Sequence, residues 1–253
     1  MDLGLADRVF ILTGASRGLG LATARALIAD GARVVISSRD ADRVAEAVET
    51  LGGADRAAGV TTDLADPSTP RELVHTAQER FGRLDGALIS VGGPTPGTAA
   101  SMSDDQWTGA FETVFLGSVR AARTFAAALP EGGAIALVLS TSVKTPLAGL
   151  GLSNGFRPGL AMVAKDMADE FAPRGVRVLS ILPGRFMTDR SRELFEATPD
   201  PATAAEAVAA GIPLRRIGEP TEFGQVAAFL LSPAASYVTG VAVPVDGGAL
   251  RAL

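Results

Sequence analysis

The fold is decided near the amino terminus by Val9-Phe10-Ile11-Leu12-Thr13-Gly14-Ala15-Ser16-Arg17-Gly18-Leu19-Gly20. The apolar residues predict a buried strand, and the glycines predict a turn that leads into a helix. Gly14 permits a tight turn, Gly18 lets the backbone approach a pyrophosphate, and Gly20 lets the helix pack close to the strand. The helix amino terminus offers N–H groups and partial positive charge to phosphates. In this context the GxxxGxG spacing favours a dinucleotide-binding loop over a purely structural turn.

Outward from this turn, short apolar runs alternate with helical patterns almost to the end of the chain. Strands are predicted at 9–12, 34–36, 57–61, 87–91, 134–140, 176–182 and 241–245, with helices between them. Helical crossovers of this kind predict a doubly wound parallel α/β sheet in a single domain over residues 1–253. Residues 184–213 carry no predicted strand, and we expect them to form a mobile flap over the carboxyl-terminal edge of the sheet.

The composition argues against several classes of protein. A net charge of −5 gives no basic footprint, so nucleic acid is not an expected partner. No apolar run approaches the ~18 residues of a membrane span, and no signal peptide is recognised. The chain has no cysteine and a single histidine, His75, which argues against disulfides, metal sites and a Ser-His-Asp triad. We therefore expect a cytoplasmic protein without a metal.

The end of the second strand, Ile36-Ser37-Ser38-Arg39, indicates which dinucleotide binds. Enzymes that use NAD usually place a carboxylate here to hold the ribose 2′-hydroxyl. Ser38 occupies that position, with Arg39 beside it and Arg17 in the facing loop, and two guanidinium groups suit a 2′-phosphate. NADP is therefore predicted ahead of NAD. The nearby Asp40 weakens this prediction, and a pair of solvated surface arginines is the alternative interpretation.

Motifs along nearly the whole chain resemble the short-chain dehydrogenase/reductase family, whose members have a Rossmann-like fold. The matching motifs are Thr13–Gly20, Asp63-Leu64, Leu84-Asp85, Pro183-Gly184 with Thr188, and Val245-Asp246-Gly247-Gly248. Sequences of 3-oxoacyl-carrier-protein reductases look similar, including the stretch Gly92-Gly93-Pro94.

The resemblance also implies contacts between the chain and a nicotinamide dinucleotide. Asp63 would meet the adenine amino group and Leu64 the adenine ring. Gly92 would lie by the adenosine ribose, and Thr188 would bind the nicotinamide amide. Together with the glycine turn and the second strand, the predicted cofactor-binding residues are Gly14, Ser16, Arg17, Gly18, Leu19, Gly20, Ser38, Arg39, Asp63, Leu64, Gly92 and Thr188.

The catalytic residues that the resemblance implies are mostly replaced. The family uses Asn, Ser, Tyr and Lys, and these positions fall on Val114, Ser140, Ser153 and Arg157. The aliphatic hydroxyl of Ser153 is a poor general acid near neutral pH, and Arg157 stays protonated and cannot relay a proton. Arg157 can still stabilise an oxyanion or bind a carboxylate or phosphate. The candidate catalytic residues are Ser140, Ser153 and Arg157.

Pro158 predicts a late start for the helix that carries two of these positions. Proline has no N–H and clashes with the carbonyl of residue 154 in a regular helix. We therefore expect the helix to begin near residues 155–157, with Asn154 in the capping turn. Ser153 and Arg157 would then not share a face.

These observations predict an NADP-dependent oxidoreductase that acts on a carbonyl or hydroxyl group of a small molecule through an atypical site. The alternative is a catalytically weak or inactive NADP-binding protein or partner subunit. Halohydrin dehalogenase chemistry ranks last, because the nucleotide loop is kept and the required tyrosine is missing. Lys144 is either a solvated loop lysine or a replacement for the missing amine, as proton donor or phosphate clamp. Arg185 and Arg190 are either surface charges or partners of a substrate anion. The resemblance implies a homo-tetramer or homo-dimer, with interfaces on the helix from Asp104, the helix before Pro173 and the Asp246-Gly247-Gly248 end.

Overall fold

The computed structural model describes residues 2–252, and in that range the chain forms one sheet of seven strands. The strands are β1 (Val9–Thr13), β2 (Arg33–Ser38), β3 (Ala57–Thr61), β4 (Gly86–Ile89), β5 (Ala134–Val138), β6 (Arg177–Pro183) and β7 (Ala242–Val245). Their order is β3-β2-β1-β4-β5-β6-β7, and every neighbouring pair is parallel. The predicted doubly wound α/β fold is confirmed.

Helices cover both faces of this sheet. Within residues 2–252 the α-helices are α1 (Gly18–Ala29), α2 (Ala41–Thr50), α3 (Thr69–Phe81), α4 (Asp104–Ala110), α5 (Gly117–Ala128), α6 (Gly151–Phe171), α7 (Asp189–Glu196), α8 (Pro201–Ala210) and α9 (Pro220–Leu231). A π-helical turn, Phe111–Leu116, joins α4 to α5. The long helix predicted from Asp104 is therefore present, but its hydrogen-bond pattern changes in the middle.

The alternation of side chains along β1 divides the core into two layers. Val9 and Ile11 pack on the side of α3, α5 and α6, whereas Phe10 and Leu12 pack on the side of α1 and α9. All four side chains are buried, because successive residues of a strand point to opposite faces and both faces are covered. Because both faces of the sheet are buried, the strands appear in the sequence as nearly continuous apolar runs.

The order of the strands reverses at β1. The strands β2 and β3 are added on one side of it, and β4 to β7 are added on the other. Such a switch point opens a crevice at the carboxyl ends of the strands, where doubly wound sheets bind ligands. Thr13 at the end of β1 is linked to Ser90, the first residue after β4. The Thr13 hydroxyl donates to the Ser90 carbonyl over 2.8 Å and accepts from the Ser90 N–H over 2.9 Å. The two strands on either side of the crevice are thereby held in register.

The expected late start of α6 is wrong. The helix begins at Gly151 and contains Pro158. Proline in a helix interior costs roughly 3 kcal/mol, but burial of the flanking face outweighs this here. Leu152 and Leu160 are buried on either side of the proline. Asn154 does not cap the helix: its side-chain oxygen accepts from the Leu147 N–H and its amide donates to the Leu147 carbonyl.

The region 184–213, for which no strand was predicted, folds into α7 and α8 after β6. Thr188 caps the start of α7 by accepting a hydrogen bond from the Ser191 N–H over 3.3 Å. A bridge between Phe186 and Gly218 ties the base of the excursion to the segment that precedes α9. The mobility expected of this flap stays a prediction.

Candidate nucleotide and catalytic site

The glycine turn between β1 and α1 has a shape that only glycine fits. Gly14 and Gly18 have φ values of +59° and +58°, which L side chains rarely adopt. A Cβ at Gly14 would lie 2.7 Å from the Ser90 carbonyl oxygen, and a Cβ at Gly20 would lie 2.7 Å from Cα of Ala15. The turn therefore brings the amino terminus of α1 against the end of the sheet, and it fits the pyrophosphate of a dinucleotide.

The ends of β2 and β3 line the same cleft with charged side chains. Arg17 and Arg39 both line it, from the glycine turn and from the residue after β2. Nη1 of Arg39 lies 3.8 Å from a carboxylate oxygen of Asp63, and Nη1 of Arg17 lies 3.7 Å from Glu193 on α7. All four groups are substantially exposed, so both pairs are weak and easily exchanged for a ligand anion.

The carboxylate of Asp40 has a structural task. It accepts the Arg43 N–H over 3.1 Å and so caps α2, and it lies 3.2 Å from Nε of Arg43. The Ser38 hydroxyl stands in front of it, 3.4 Å from the Asp40 N–H. Asp40 therefore serves as the cap of α2, although its half-exposed carboxylate also lines the cleft.

The cleft has a volume of about 640 Å³, within the range of small-molecule and cofactor sites. It runs from Arg39, Asp63 and Leu64 past the glycine turn to Gly92 in the loop after β4. Among the predicted cofactor residues, those that line it are Gly14, Ser16, Arg17, Ser38, Arg39, Asp63, Leu64 and Gly92.

The other predicted cofactor residues lie beside this cleft. Gly18 and Thr188 line an adjoining cavity together with Ser16 and Arg17. A Cβ at Gly18 would lie 3.7 Å from Cγ2 of Thr188, so the start of α7 touches the glycine turn. Leu19 is partly buried in the first turn of α1. The structure thus brings the predicted nucleotide residues together around one edge of the sheet.

The candidate catalytic residues form a separate, closed cluster. Ser140 follows β5, and its hydroxyl oxygen accepts the Ser142 N–H over 3.0 Å. The hydroxyls of Ser142 and Ser153 lie 3.1 Å apart, and both side chains are buried. One turn farther along α6, Nη1 of Arg157 donates to the Val138 carbonyl over 2.6 Å. These contacts attach α6 to the end of β5.

Ser153 and Arg157 do share a face of α6, contrary to the expectation from Pro158. They lie one helical turn apart, and both are buried. Among the described residues that line the cleft, Val114 and Leu152 are present, whereas Ser140, Ser153 and Arg157 are not. The cluster therefore lies behind the wall of the cleft, and Ser140, which is half-buried, is its most accessible member.

Arg157 is a buried cation without an anionic partner in residues 2–252. It is 4% exposed, and its Nε has no hydrogen-bond partner among the described residues. Burial lowers the pKa of its guanidinium to about 10, because the low-dielectric surroundings disfavour the charged form. The group remains a cation at neutral pH and cannot exchange protons with a substrate there.

Two features of this region were missed at the level of sequence. Ser142 was not singled out, although its spacing from Ser140 in a turn after a strand is compatible with a local hydroxyl-to-backbone bond. Gln106 and Thr113 line the cleft from α4 and the π-helical turn. Lys144, in contrast, is exposed beyond the turn after β5, as one of its two interpretations predicted.

In the described part of the chain, no helix is both long enough and apolar enough to cross a bilayer.

Residues 14–249 match the sequence model of a protein family described as Enoyl-(Acyl carrier protein) reductase. Dehydrogenase/reductase SDR family member 4 of Bos taurus is 35% identical over 98% of this chain and 89% of that protein. Both matches span the cleft and the buried cluster, so the similarity does not depend on the glycine turn alone.

Solved structures show the same fold over the whole length. L-sorbose reductase from Gluconobacter frateurii, complexed with NADPH and L-sorbose, superposes with a TM-score of 0.91 at 31% identity and covers 100% of both chains. An NADPH-bound short chain oxidoreductase from Pseudomonas aeruginosa PAO1, described as containing an atypical catalytic center, gives a TM-score of 0.90 at 30% identity over 97% of this chain and 98% of that one.

Proposed function

This chain belongs to the short-chain dehydrogenase/reductase family, and from that membership we propose that it is an NADP-dependent oxidoreductase acting on a carbonyl or hydroxyl group. The observation that carries the proposal is the pair of arginines, Arg17 and Arg39, at the end of the cleft where Asp40 is committed to capping α2. Two relatives of solved structure, described as NADPH complexes, support the same cofactor.

The residues at the edge of the sheet fit this cofactor. Backbone N–H groups of the glycine turn would hold its pyrophosphate, and the guanidinium groups of Arg17 and Arg39 would hold the 2′-phosphate. Asp63 and Leu64 would enclose the adenine, and Thr188 would meet the carboxamide. When bound, the nicotinamide supplies two electrons to a carbonyl carbon or takes them from an alcohol.

The protein's own contribution to the chemistry centres on Ser140. Its hydroxyl oxygen already accepts the Ser142 N–H, so its O–H proton is free to point toward a substrate oxygen. Ser153 and Arg157 would act as positioning residues, since their hydrogen bonds fasten α6 to the Ser140 turn and to β5. The proton that reaches the substrate oxygen would come from water, because no tyrosine occupies this end of the cleft.

A second candidate function follows from the same cluster. A protein that holds NADP without turning over a substrate, or that serves as a partner subunit, needs the nucleotide end and not an acid–base pair. Ser153 and Arg157 are buried, and they bond to the Ser142 hydroxyl and the Val138 carbonyl, which favours this second function. This alternative and the oxidoreductase share the cofactor and differ only in turnover.

One experiment separates these possibilities. Calorimetry with NADPH and NADH tests the cofactor, and absorbance of NADPH in the presence of ethyl acetoacetate and simple ketones tests turnover. We expect tighter binding of NADPH and slow oxidation of it. Equal affinities for the two cofactors would refute the assignment of NADP, and tight binding with no turnover of any carbonyl compound would favour the binding protein.

We also propose that the chain forms a homo-dimer or homo-tetramer. On the side of the π-helical turn and α6, Phe111 and Met162 are 41% and 71% exposed, which is high for large apolar side chains. Phe156 of α6 packs against Phe111 with ring centroids 6.0 Å apart, so the two helices present one surface. Light scattering at micromolar concentration measures the mass, and a monomer would contradict the proposal. The cytoplasmic location stays a prediction.

A further inference from the structure

The end of the cleft that lies beyond Gly92 is enclosed by uncharged residues. It is lined by Gly93, Pro94, Thr95, Gln106, Gly109, Ala110, Thr113, Val114 and Leu152. Four of the charged residues among the described lining residues stand near β2 and β3, and the fifth, Arg17, stands in the glycine turn. A substrate at this end would therefore meet few charges in the wall itself.

Arg190, on the excursion after β6, contacts Gly93, one of the residues that line this end of the cleft. It belongs to the first turn of α7, two residues after Thr188. A Cβ built on Gly93 would lie 3.6 Å from Nη1 of Arg190, so the guanidinium packs against the loop that follows β4. The side chain is exposed and joins α7 to the loop after β4, beside a residue that lines the cleft.

The charge of Arg190 is uncompensated in the described part of the chain. No carboxylate between residues 2 and 252 forms an ion pair with it, whereas Arg17, close by, pairs with Glu193. A cation in the first turn of a helix also opposes the helix dipole. An anion bound beside Gly93 would pair with Arg190 and offset its unfavourable position at the positive end of the helix dipole.

We propose that the substrate is a carbonyl compound that bears a carboxylate, and that Arg190 is the residue that binds this carboxylate. The proposal rests on the oxidoreductase function proposed above and names the class of its substrate. A guanidinium group binds a carboxylate through two parallel hydrogen bonds, so a single arginine suffices. Lys144, exposed after β5 at the same edge of the sheet, adds to the positive potential there.

The reaction balances as an ordinary two-electron reduction. A keto acid, NADPH and one proton give the hydroxy acid and NADP⁺. The carbonyl carbon gains the new C–H bond and the oxygen gains the proton. The carboxylate is unchanged and serves only for recognition, so its removal should weaken binding without changing the chemistry.

The test compares each acid with its primary amide, which has nearly the same size and no charge. Acetoacetate is paired with acetoacetamide, and 4-oxopentanoate with 4-oxopentanamide. We measure kcat/KM from the absorbance of NADPH, and binding to the NADPH-saturated protein by calorimetry. Wild-type protein should prefer an acid over its amide by roughly 10- to 100-fold, the usual value of a hydrogen bond to a charged group.

Arg190→Gln should abolish that preference by weakening the acids and leaving the amides unchanged, and Arg190→Lys should keep part of it. The matched control is Arg71→Gln, which removes an exposed arginine on α3 that lines neither cavity. If no acid binds better than its amide, if the phosphate ester dihydroxyacetone phosphate is preferred, or if both variants behave alike, the inference is wrong. If the wild-type protein does not bind NADPH at all, the proposed function itself is wrong.

Discussion

The two regions at the carboxyl edge of the sheet treat polar groups in opposite ways. Around the glycine turn, Arg17 and Arg39 are exposed and only loosely paired with carboxylates, 3.7 and 3.8 Å away. Behind the end of β5, Ser153 and Arg157 are buried and bonded within the protein. The polar groups of the first region stay available to a ligand, whereas those of the second hold α6 to the sheet.

This difference separates binding from chemistry in one cleft. Groups that face solvent can exchange weak partners for a phosphate at little cost. Groups that are buried and already bonded must first break those contacts, and a broken buried contact costs about 1–3 kcal/mol. We therefore expect changes near the glycine turn to alter cofactor affinity, and changes in the buried cluster to alter turnover or stability.

The largest expected effect comes from rebuilding the acid–base pair. Ser153→Tyr combined with Arg157→Lys should raise the rate of ethyl acetoacetate reduction by ~10²–10⁴, the usual contribution of a general acid. The regular start of α6 at Gly151 keeps the two positions one turn apart. Turnover is followed by NADPH absorbance.

The control for this variant is Ser153→Phe combined with Arg157→Lys, which has the same bulk without the phenol. Circular dichroism verifies that both variants fold. If the phenylalanine variant gains as much rate as the tyrosine variant, proton donation is not what the wild type lacks.

Ser140→Ala should lower kcat by ~10²–10³ and leave NADPH affinity unchanged, because it removes the hydroxyl that we propose donates to the substrate oxygen. Single-turnover kinetics measure the first quantity and calorimetry the second. Full activity of this variant would place the proton-transfer site elsewhere, and Lys144→Ala would then be the variant to measure.

Arg39→Ala should weaken NADPH binding by about 1.5–3 kcal/mol, the value of a hydrogen bond to a charged group, and leave NADH binding unchanged. Calorimetry with both cofactors provides the comparison. Arg71→Ala, which removes an exposed arginine on α3, is the control variant. An equal loss for NADH and NADPH would show that Arg39 does not contact the 2′-phosphate.

Gly14→Ala should lose about 1–2 kcal/mol of stability from its left-handed backbone and bind NADPH more weakly, since its Cβ would collide with Ser90. Gly53→Ala is matched to it: φ is +72°, and a Cβ there would have no neighbour within 4 Å. Thermal unfolding with and without NADPH measures both effects. Gly53→Ala should show the cost of the left-handed backbone alone, and Gly14→Ala should be destabilised more and should be the only one of the two to lose cofactor affinity.

The smallest expected effect comes from the contact between the glycine turn and α7. Glu193→Gln removes the partner of Arg17 and should strengthen NADPH binding by ~0.2–1 kcal/mol, the value of an exposed ion pair. High salt should erase the difference between variant and wild type, because it screens the pair. Weaker NADPH binding by the variant would mean that Glu193 assists the cofactor.

Local sequence determined most of the fold and the composition of the nucleotide end. The alternation of apolar runs with helical patterns predicted the parallel sheet, since strand and helix periodicities are local properties. The three glycines of Thr13–Gly20 predicted the tight turn for the same reason. Arg17 and Arg39 flank strand ends, and the carboxyl ends of parallel strands always meet at one edge.

Only the tertiary structure decided the buried cluster. Pro158 predicted a broken helix because local propensity disfavours it, but packing of α6 against the sheet outweighs a local cost of about 3 kcal/mol. The pairing of Ser142 with Ser153, and of Arg157 with Val138, joins residues 11 and 19 positions apart. Such contacts, like the approach of Arg190 to Gly93, depend on how separate elements pack, and no periodicity in the sequence encodes them.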